Sequence, residues 1–245
     1  MKLLNDINPS QILFLDIETA PAVASYDELS PEFQALWDKK SAYFRLEEQD
    51  AADVFERAAI YAEFGKIICI SAGFISGHEN NISLRLKSFF SHNEIELLED
   101  FSVMLNNFST NKEAMLCAHN GKEFDYPYIA RRMIINSLKI PALLDNAGKK
   151  PWEINLLDTM ELWKFGDFKN YTSLELLAGL LNIPTPKDDI DGSMVAEIYW
   201  KENDLPRIAR YCEKDVIALV QVFLKFRNNK TIPQERIESV TRFAD

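Results

Sequence analysis

Short runs of apolar residues that end in polar residues recur along the chain, and each of them predicts a buried β-strand. ILFLDI at residues 12–17 and AMLCAHN at 114–120 are continuous apolar runs that are too short for a helix. KIICISAGFI at 66–75 is rich in β-branched residues, and ISLRLKSFF at 82–90 alternates apolar and polar positions, so the pair predicts an antiparallel hairpin. A fifth strand is expected within WEINLLDTMELW at 152–163, where it gives way to a helix near Asp158.

Apolar residues at helical spacing predict a series of helices after the hairpin. These helices cover residues 93–108, 125–138, 172–184, 190–200 and 204–226. Because strands come first and then alternate with helices, we expect an α/β fold with a mixed five-stranded sheet and helices on both faces.

The segment 20–64 separates the first two predicted strands and has a helical texture. Ser30 is a suitable N-cap and Pro31 suits the first helical position, while apolar residues in EEQDAADVFERAAIYAEF at 47–64 have helical spacing. We therefore expect one domain over residues 1–245 with a helical insertion at about 20–64. The aromatic residues of the insertion serve either as its packing core or as a wall over a bound ligand.

Charge and cysteine content narrow the possible functions. The 245-residue chain carries 27 Lys and Arg against 38 Asp and Glu, which gives a formal net charge of −11. This charge disfavours a protein that holds nucleic acid on a wide basic surface, but it allows a local site that grips a few phosphates. Three scattered cysteines without CxxC spacing argue against a disulfide framework and favour the reducing cytoplasm. No apolar run is long enough to cross a bilayer, so no membrane contact is expected.

Two carboxylates stand at the end of the first predicted strand, in the sequence DIET. Asp16 and Glu18 are two residues apart, so their side chains point to the same face of the sheet. Two carboxylates in one space repel each other unless a cation lies between them. The alternative is that the strand ends here, with Asp16 capping a loop and Glu18 in solvent.

Two further motifs place acids near the ends of secondary-structure elements. In HNGKEFDYPYI at 119–129, Asn120 follows a buried strand, and Asp125 begins a helix after Phe124. The alternative roles here are a turn for Asn120 and a favourable helix-dipole interaction for Asp125. In YCEKD, Tyr211 and Asp215 are four apart and share one face of a helix, beside an apolar stripe that includes Cys212. That pair alone is also compatible with a solvated helix edge.

The order D-x-E on the first strand, N-x-x-x-F-D at a strand-to-helix turn and Y-x-x-x-D on a late helix resembles the DEDD superfamily of 3′→5′ exonucleases. These enzymes have a ribonuclease-H-like fold. The tyrosine branch fits, because the histidine branch has a histidine five residues before the last Asp and this chain has Arg210 there. The resemblance covers roughly residues 10–226 and is greatest to stand-alone exonucleases related to the proofreading domain of family-B DNA polymerases.

The resemblance implies a site in which Asp16, Glu18, Asp125 and Asp215 hold two divalent cations, Mg²⁺ or Mn²⁺. It also implies that Tyr211 orients the attacking water. Thr19, Asn120 and Phe124 match positions that contact the terminal nucleotides. The implied activity is hydrolysis of DNA from a 3′ end, expected to be single-stranded, to nucleoside monophosphates. An RNA exonuclease, or an inactive module that only binds nucleic acid or protein, remains an alternative.

Overall fold

A computed structural model of the chain describes residues 4–77, 81–167, 171–184 and 190–243. Within these residues, strands pair into a single six-stranded sheet. The strands are β1 (Ile12–Pro21), β2 (Gly65–Ser76), β3 (Ser83–Phe90), β4 (Met115–Ala118), β5 (Leu156–Asp158) and β6 (Ile237–Ser239). Their order across the sheet is β5-β4-β1-β2-β3-β6.

The described α-helices pack around this sheet. They are α1 (Pro31–Ser41), α2 (Glu94–Phe108), α3 (Asp125–Ile135), α4 (Thr159–Lys164), α5 (Leu174–Leu180), α6 (Val195–Glu197) and α7 (Leu205–Phe226). A π-helical turn, Ile198–Glu202, continues α6. Short 3₁₀ helices lie at Leu4–Asp6, Pro9–Gln11, Tyr26–Glu28, Phe55–Ile60, Pro151–Glu153 and Gln234–Arg236. None of the helices in the described part of the chain combines the length and the apolar character that a membrane span needs.

The pairing of the strands confirms the expected mixed sheet. Strand β1 lies centrally, parallel to β4 and antiparallel to β2, and β2 and β3 form the predicted antiparallel hairpin. Strand β5 adds parallel to β4. The prediction of five strands is wrong by one, because β6 adds parallel to β3 at the edge. This strand has three residues and no buried side chain, so no local apolar pattern marks it.

Alternation along β1 separates the two faces of the sheet. Leu13 and Leu15 pack in a cluster with residues of α2 and α3. Ile12 and Phe14 belong to a second cluster on the other face, where α7 contributes Phe223. A side-chain period of two therefore directs the even-numbered residues of β1, including the acids that follow Phe14, toward the face covered by α7.

The insertion between β1 and β2 follows the prediction only in its first half. Ser30 accepts a hydrogen bond from the Phe33 N–H and caps α1, as expected. The second half forms turns and a 3₁₀ helix instead of an α-helix. The Asp50 carboxylate accepts the N–H groups of Ala52 and Asp53, a local bond that competes with helix formation.

A separate core holds the insertion together. Trp37 is fully buried and donates its indole N–H to the Ala51 carbonyl at 2.8 Å. The Trp37 ring meets those of Phe55 and Phe64 edge-on, at centroid distances of 5.8 and 5.2 Å. The aromatic residues of this segment therefore pack mainly against each other, as the packing alternative predicted.

Several later elements differ from their predicted bounds. The helix expected over 172–184 is capped by Ser173 and ends at Leu180, before Asn182 takes a left-handed φ of 51°. The helix expected over 190–200 is a single turn of α6 followed by the π-helical turn. Short polar turns interrupt both segments, and apolar spacing alone does not register them.

Candidate active site

The acids of β1 face α7 at the centre of the sheet. Asp16 pairs in register with Ser71 of β2, and Glu18 pairs with Cys69. A β-bulge lies directly after Glu18, where the register with β2 shifts. One ligand atom each from Asp16, Glu18 and Cys212 lies within 4.8 Å of the others. The two carboxylates therefore share one space, as their spacing in the sequence predicted.

Helix α7 brings the third set of residues to this space. Asp204 caps the helix by accepting the Arg207 N–H at 3.0 Å. The Tyr211 hydroxyl donates to the carboxylate of Asp215, one turn further along. The Cys212 thiol lies 3.4 Å from both the carbonyl oxygen and the Oδ2 atom of Asp16 and donates toward them. These contacts fix α7 directly against the acidic end of β1.

Asp125 completes the cluster from the other side of β1. It is the first residue of α3 and is buried. Burial raises the pKa of Asp125 to about 7, while the backbone N–H groups of Asp125 and Ile17 lower it. Asp125 therefore lies near Ile17, the strand residue that separates the two β1 acids.

The protonation of the β1 acids shows how closely the four carboxylates approach one another. Burial raises the pKa of Asp16 well above its ordinary value, and the charges of Asp125 and Asp215 raise it further. Burial likewise raises the pKa of Glu18, with added repulsion from Asp16 and Asp215. Four carboxylates crowded in this way are unfavourable as anions unless positive charge reaches them.

Tyr211 is held in its neutral form. Burial raises its pKa, and the negative charges of Asp215, Glu18 and Asp16 raise it further. A phenol in this environment keeps its proton at neutral pH. It can therefore donate and accept hydrogen bonds, but it is not a general base.

The three residues expected to contact a substrate lie near the acids, and each has different surroundings. Asn120 has a left-handed φ of 62°, and its buried Oδ1 atom has no hydrogen-bond partner among the described residues. Phe124 is partly buried, with its ring centroid 5.3 Å from that of Tyr128. Thr19 is buried, and the Tyr128 hydroxyl donates to the Ala59 carbonyl at 2.8 Å.

Two residues at the site were not singled out from the sequence. Cys212 belongs to the apolar stripe of α7, as predicted, but its thiol also reaches Asp16. Glu213, the next residue, is buried, and its Oε1 atom accepts hydrogen bonds from the hydroxyls of Ser88, Ser239 and Thr241. The bonds to Ser239 and Thr241 attach the C-terminal segment to α7. Nothing in local spacing connects these hydroxyls to a glutamate on a distant helix.

A comparison with protein families matches residues 60–241 to a family described as a predicted 3′–5′ exonuclease related to the exonuclease domain of PolB. The chain belongs to this family. Two of the three motif segments, those carrying Asp125 and Asp215, lie inside the match. Asp16 and Glu18 precede it, so their place in this exonuclease rests on the geometry above.

Comparison with solved structures supports the fold of this chain. The family B DNA polymerase from the hyperthermophilic archaeon Pyrobaculum calidifontis matches with a TM-score of 0.52 and 13% sequence identity. The match covers 87% of this chain and 24% of the polymerase chain, so this chain spans about a quarter of that protein's length. It confirms a ribonuclease-H-like fold of the polymerase exonuclease kind. Comparison with curated proteins finds no match.

The donor atoms suit hard divalent cations. Asp16, Glu18, Asp125 and Asp215 offer carboxylate oxygens, which Mg²⁺ and Mn²⁺ prefer as ligands. Burial raises the pKa values of Asp16, Glu18 and Asp125, and repulsion from neighbouring carboxylates of the site raises those of Asp16 and Glu18 further; a bound cation would relieve this cost. The residues present therefore fit the metal that exonucleases of this kind use.

Proposed function

We propose that this chain is a metal-dependent 3′→5′ exonuclease that hydrolyses single-stranded DNA from the 3′ end and releases nucleoside monophosphates. The observation that supports this function is the close approach of the Asp16 and Glu18 carboxylates beneath α7. Asp125 of α3 and Asp215 of α7 lie near enough for their charges to raise the pKa of Asp16, and the Tyr211 hydroxyl stays neutral beside them. Asp16 and Glu18 alone would not support this function, because a pair of acids at the end of a strand is common in proteins that are not nucleases.

In this proposal, Asp16, Glu18, Asp125 and Asp215 would hold the two cations through their carboxylate oxygens. When bound, the cations offset the carboxylate charges and stabilise negative charge on the oxygens of the scissile phosphate. This local positive charge is what allows a chain with a net charge of −11 to accept a phosphodiester.

Tyr211 orients the attacking water in this scheme. Its hydroxyl proton is already committed to Asp215, so the phenol oxygen is left with lone pairs that can accept a hydrogen bond from water. Because the phenol stays neutral, it positions the water without removing a proton from it. Asp215 thereby serves twice, as a cation ligand and as the acceptor that fixes the Tyr211 hydroxyl.

Residues of the turn before α3 hold the terminal nucleotides. Asn120 is partly exposed, and its side-chain amide is of a type that can donate to and accept from a sugar or a base. The partly exposed ring of Phe124 offers a face for a base, and such stacking is worth about 1–3 kcal/mol per base. In this proposal Thr19, which directly follows the acid pair, also contacts the terminal nucleotide.

A 5′-labelled single-stranded DNA oligonucleotide tests the proposal. With Mg²⁺ or Mn²⁺, the label should move down a ladder one nucleotide at a time, and chelation with EDTA should stop the shortening. Asp16→Asn and Asp215→Asn, each purified in the same way, should reduce the rate by a factor of about 10³ or more. Asp100→Asn on the exposed surface of α2 is the matched control and should leave the rate unchanged.

Two outcomes would overturn the proposal. Shortening that survives both substitutions would show that the activity belongs to a contaminant. A chain that binds the oligonucleotide and never shortens it would be a binding module. RNA and DNA have the same phosphodiester group, so the carboxylates of the site do not distinguish them. The same assay with RNA and with double-stranded DNA therefore decides the substrate class.

A further inference from the structure

Asp158 ends strand β5 at the same edge of the sheet as the candidate active site. Strand β5 runs parallel to β4, and Asp158 is in register with Ala118, two residues before Asn120. The residue is only 2% exposed. Its carboxylate is therefore buried beside the turn that connects β4 to α3.

The Asp158 carboxylate accepts hydrogen bonds from four backbone N–H groups. Its Oδ1 atom accepts from Met160 at 2.9 Å and, more weakly, from Glu161 at 3.4 Å, which is an ordinary N-cap of α4. The same Oδ1 accepts from Asn120 at 3.0 Å, and Oδ2 accepts from Lys122 at 3.1 Å. The last two donors belong to a different segment of the chain.

Capping α4 does not require this second pair of bonds. Ser173 caps α5 with a single hydroxyl oxygen, and one oxygen is enough for that purpose. A carboxylate supplies a second oxygen that points at Lys122. Burying a charged group is unfavourable unless hydrogen bonds compensate it, and here four amides do so.

The turn held by Asp158 has a conformation that needs support. Asn120 adopts a left-handed φ of 62°, and a Cβ atom on Gly121 would lie 2.4 Å from the Cβ of Ala118. The chain thus turns tightly against the end of β4. Phe124 and Asp125 follow within the next few residues, so the direction of the turn determines where they lie.

We propose that Asp158 is a positioning residue for nucleic-acid hydrolysis, and that it holds the Asn120–Asp125 turn against β5. In this position the turn places Asp125 beside Asp16 and presents Asn120 and Phe124 to the terminal nucleotides of the substrate. The inference rests on the proposed function. Asp158 itself touches neither the substrate nor the other acids, because its oxygens are occupied by the four amides.

Two variants separate the positioning role from the helix cap. Asp158→Ser keeps a hydroxyl acceptor at the cap of α4 but is too short to bond Lys122. Asp158→Asn keeps one oxygen and turns an NH₂ group toward the Lys122 N–H. Ser173→Ala, which removes the cap of α5, is the control for loss of a helix cap elsewhere. If one of the two Asp158 variants does not melt cooperatively, the other Asp158 variant is used.

Two measurements are made. Mass spectrometry follows hydrogen exchange in a peptide that covers residues 119–126. A cleavage assay follows shortening of the labelled oligonucleotide over a range of Mn²⁺ concentrations. We expect faster exchange in this peptide for both Asp158 variants and a 10- to 100-fold rise, as an order of magnitude, in the Mn²⁺ concentration for half-maximal rate. Ser173→Ala should change neither. Because bound Mn²⁺ also stabilises the folded state, every variant is assayed at a temperature at which melting shows it fully folded without Mn²⁺, so that lost stability alone does not change the Mn²⁺ dependence.

Unchanged exchange in the 119–126 peptide would overturn the inference, as would faster exchange with an unchanged Mn²⁺ dependence. If the unmodified chain does not shorten the oligonucleotide, the proposed function fails. In that case the exchange measurement decides alone whether Asp158 holds the turn, since faster exchange supports that role and unchanged exchange excludes it.

Discussion

Replacing Asp125 by Asn is expected to stabilise the protein at high pH when divalent cations are absent. The folded protein keeps a proton on Asp125 up to about pH 7, whereas an unfolded chain releases it near the ordinary value of 3.8. Between these values the folded state binds more protons than the unfolded state, so stability falls as the pH rises. Asn does not titrate, so the variant escapes this loss.

The magnitude follows from the difference between the two values. About three pH units at 1.36 kcal/mol each correspond to about 4 kcal/mol at pH 8. At pH 5 only part of the window has been crossed, and the gain from Asn should be between about 1 and 2 kcal/mol. Asn has nearly the same shape as Asp and retains one side-chain oxygen, so the packing around position 125 should change little.

Urea denaturation in EDTA at pH 5 and pH 8 measures this effect. Asp125→Asn should unfold at higher urea than the unmodified chain, with the larger difference at pH 8, whereas Asp100→Asn should follow the unmodified chain at both values. Adding Mg²⁺ should reduce the difference, because only the unmodified site has its full set of ligands. A gain of the same size at both pH values, or a loss at pH 8, would refute the reasoning.

Three further outcomes are expected from the same structure. Mn²⁺ should raise the melting temperature of the unmodified chain through preferential binding to the folded state, and Asp16→Asn should largely abolish that rise in a thermal scan. Tyr211→Phe should lower kcat by about 10²-fold while the Mn²⁺-induced rise in melting temperature persists, which single-turnover cleavage and melting can establish. Glu213→Ala should cost about 1–3 kcal/mol of unfolding free energy by removing the acceptor of three hydroxyls, whereas the exposed Glu238→Ala should cost little.

Local rules in the sequence predict the elements that carry the site. The period of two along β1 directs Asp16 and Glu18 to one face, and helical spacing puts Tyr211 and Asp215 on one side of α7. The cap at Ser30 and the strand end at Asp158 are also visible in the residues themselves. What these features share is that each depends on neighbours fewer than five residues away.

Features that depend on distant parts of the chain could not be predicted in this way. The Asp158 carboxylate accepts the N–H of Asn120, 38 residues earlier, and the contact of Cys212 with Asp16 joins residues whose numbers differ by 196. Strand β6 forms because β3 offers an open edge, and its own residues are not apolar enough to indicate it. In the insertion, the carboxylate of Asp50 stabilises turns where apolar spacing predicted a helix.

The fold keeps its unfavourable acids in place through neutral donors. Asp158 and Glu213 are buried carboxylates beside the site, and backbone amides surround the first as hydroxyls surround the second. Neutral donors stabilise a carboxylate without bringing in a lysine or arginine that would compete with a cation for Asp16 and its neighbours. Asp158 and Glu213 are stabilised by uncharged groups, so they bring no lysine or arginine close to the four acids. The repulsion among the four acids therefore persists until divalent cations bind. The same repulsion that lowers the stability of the metal-free protein is therefore available to strengthen the binding of the cations.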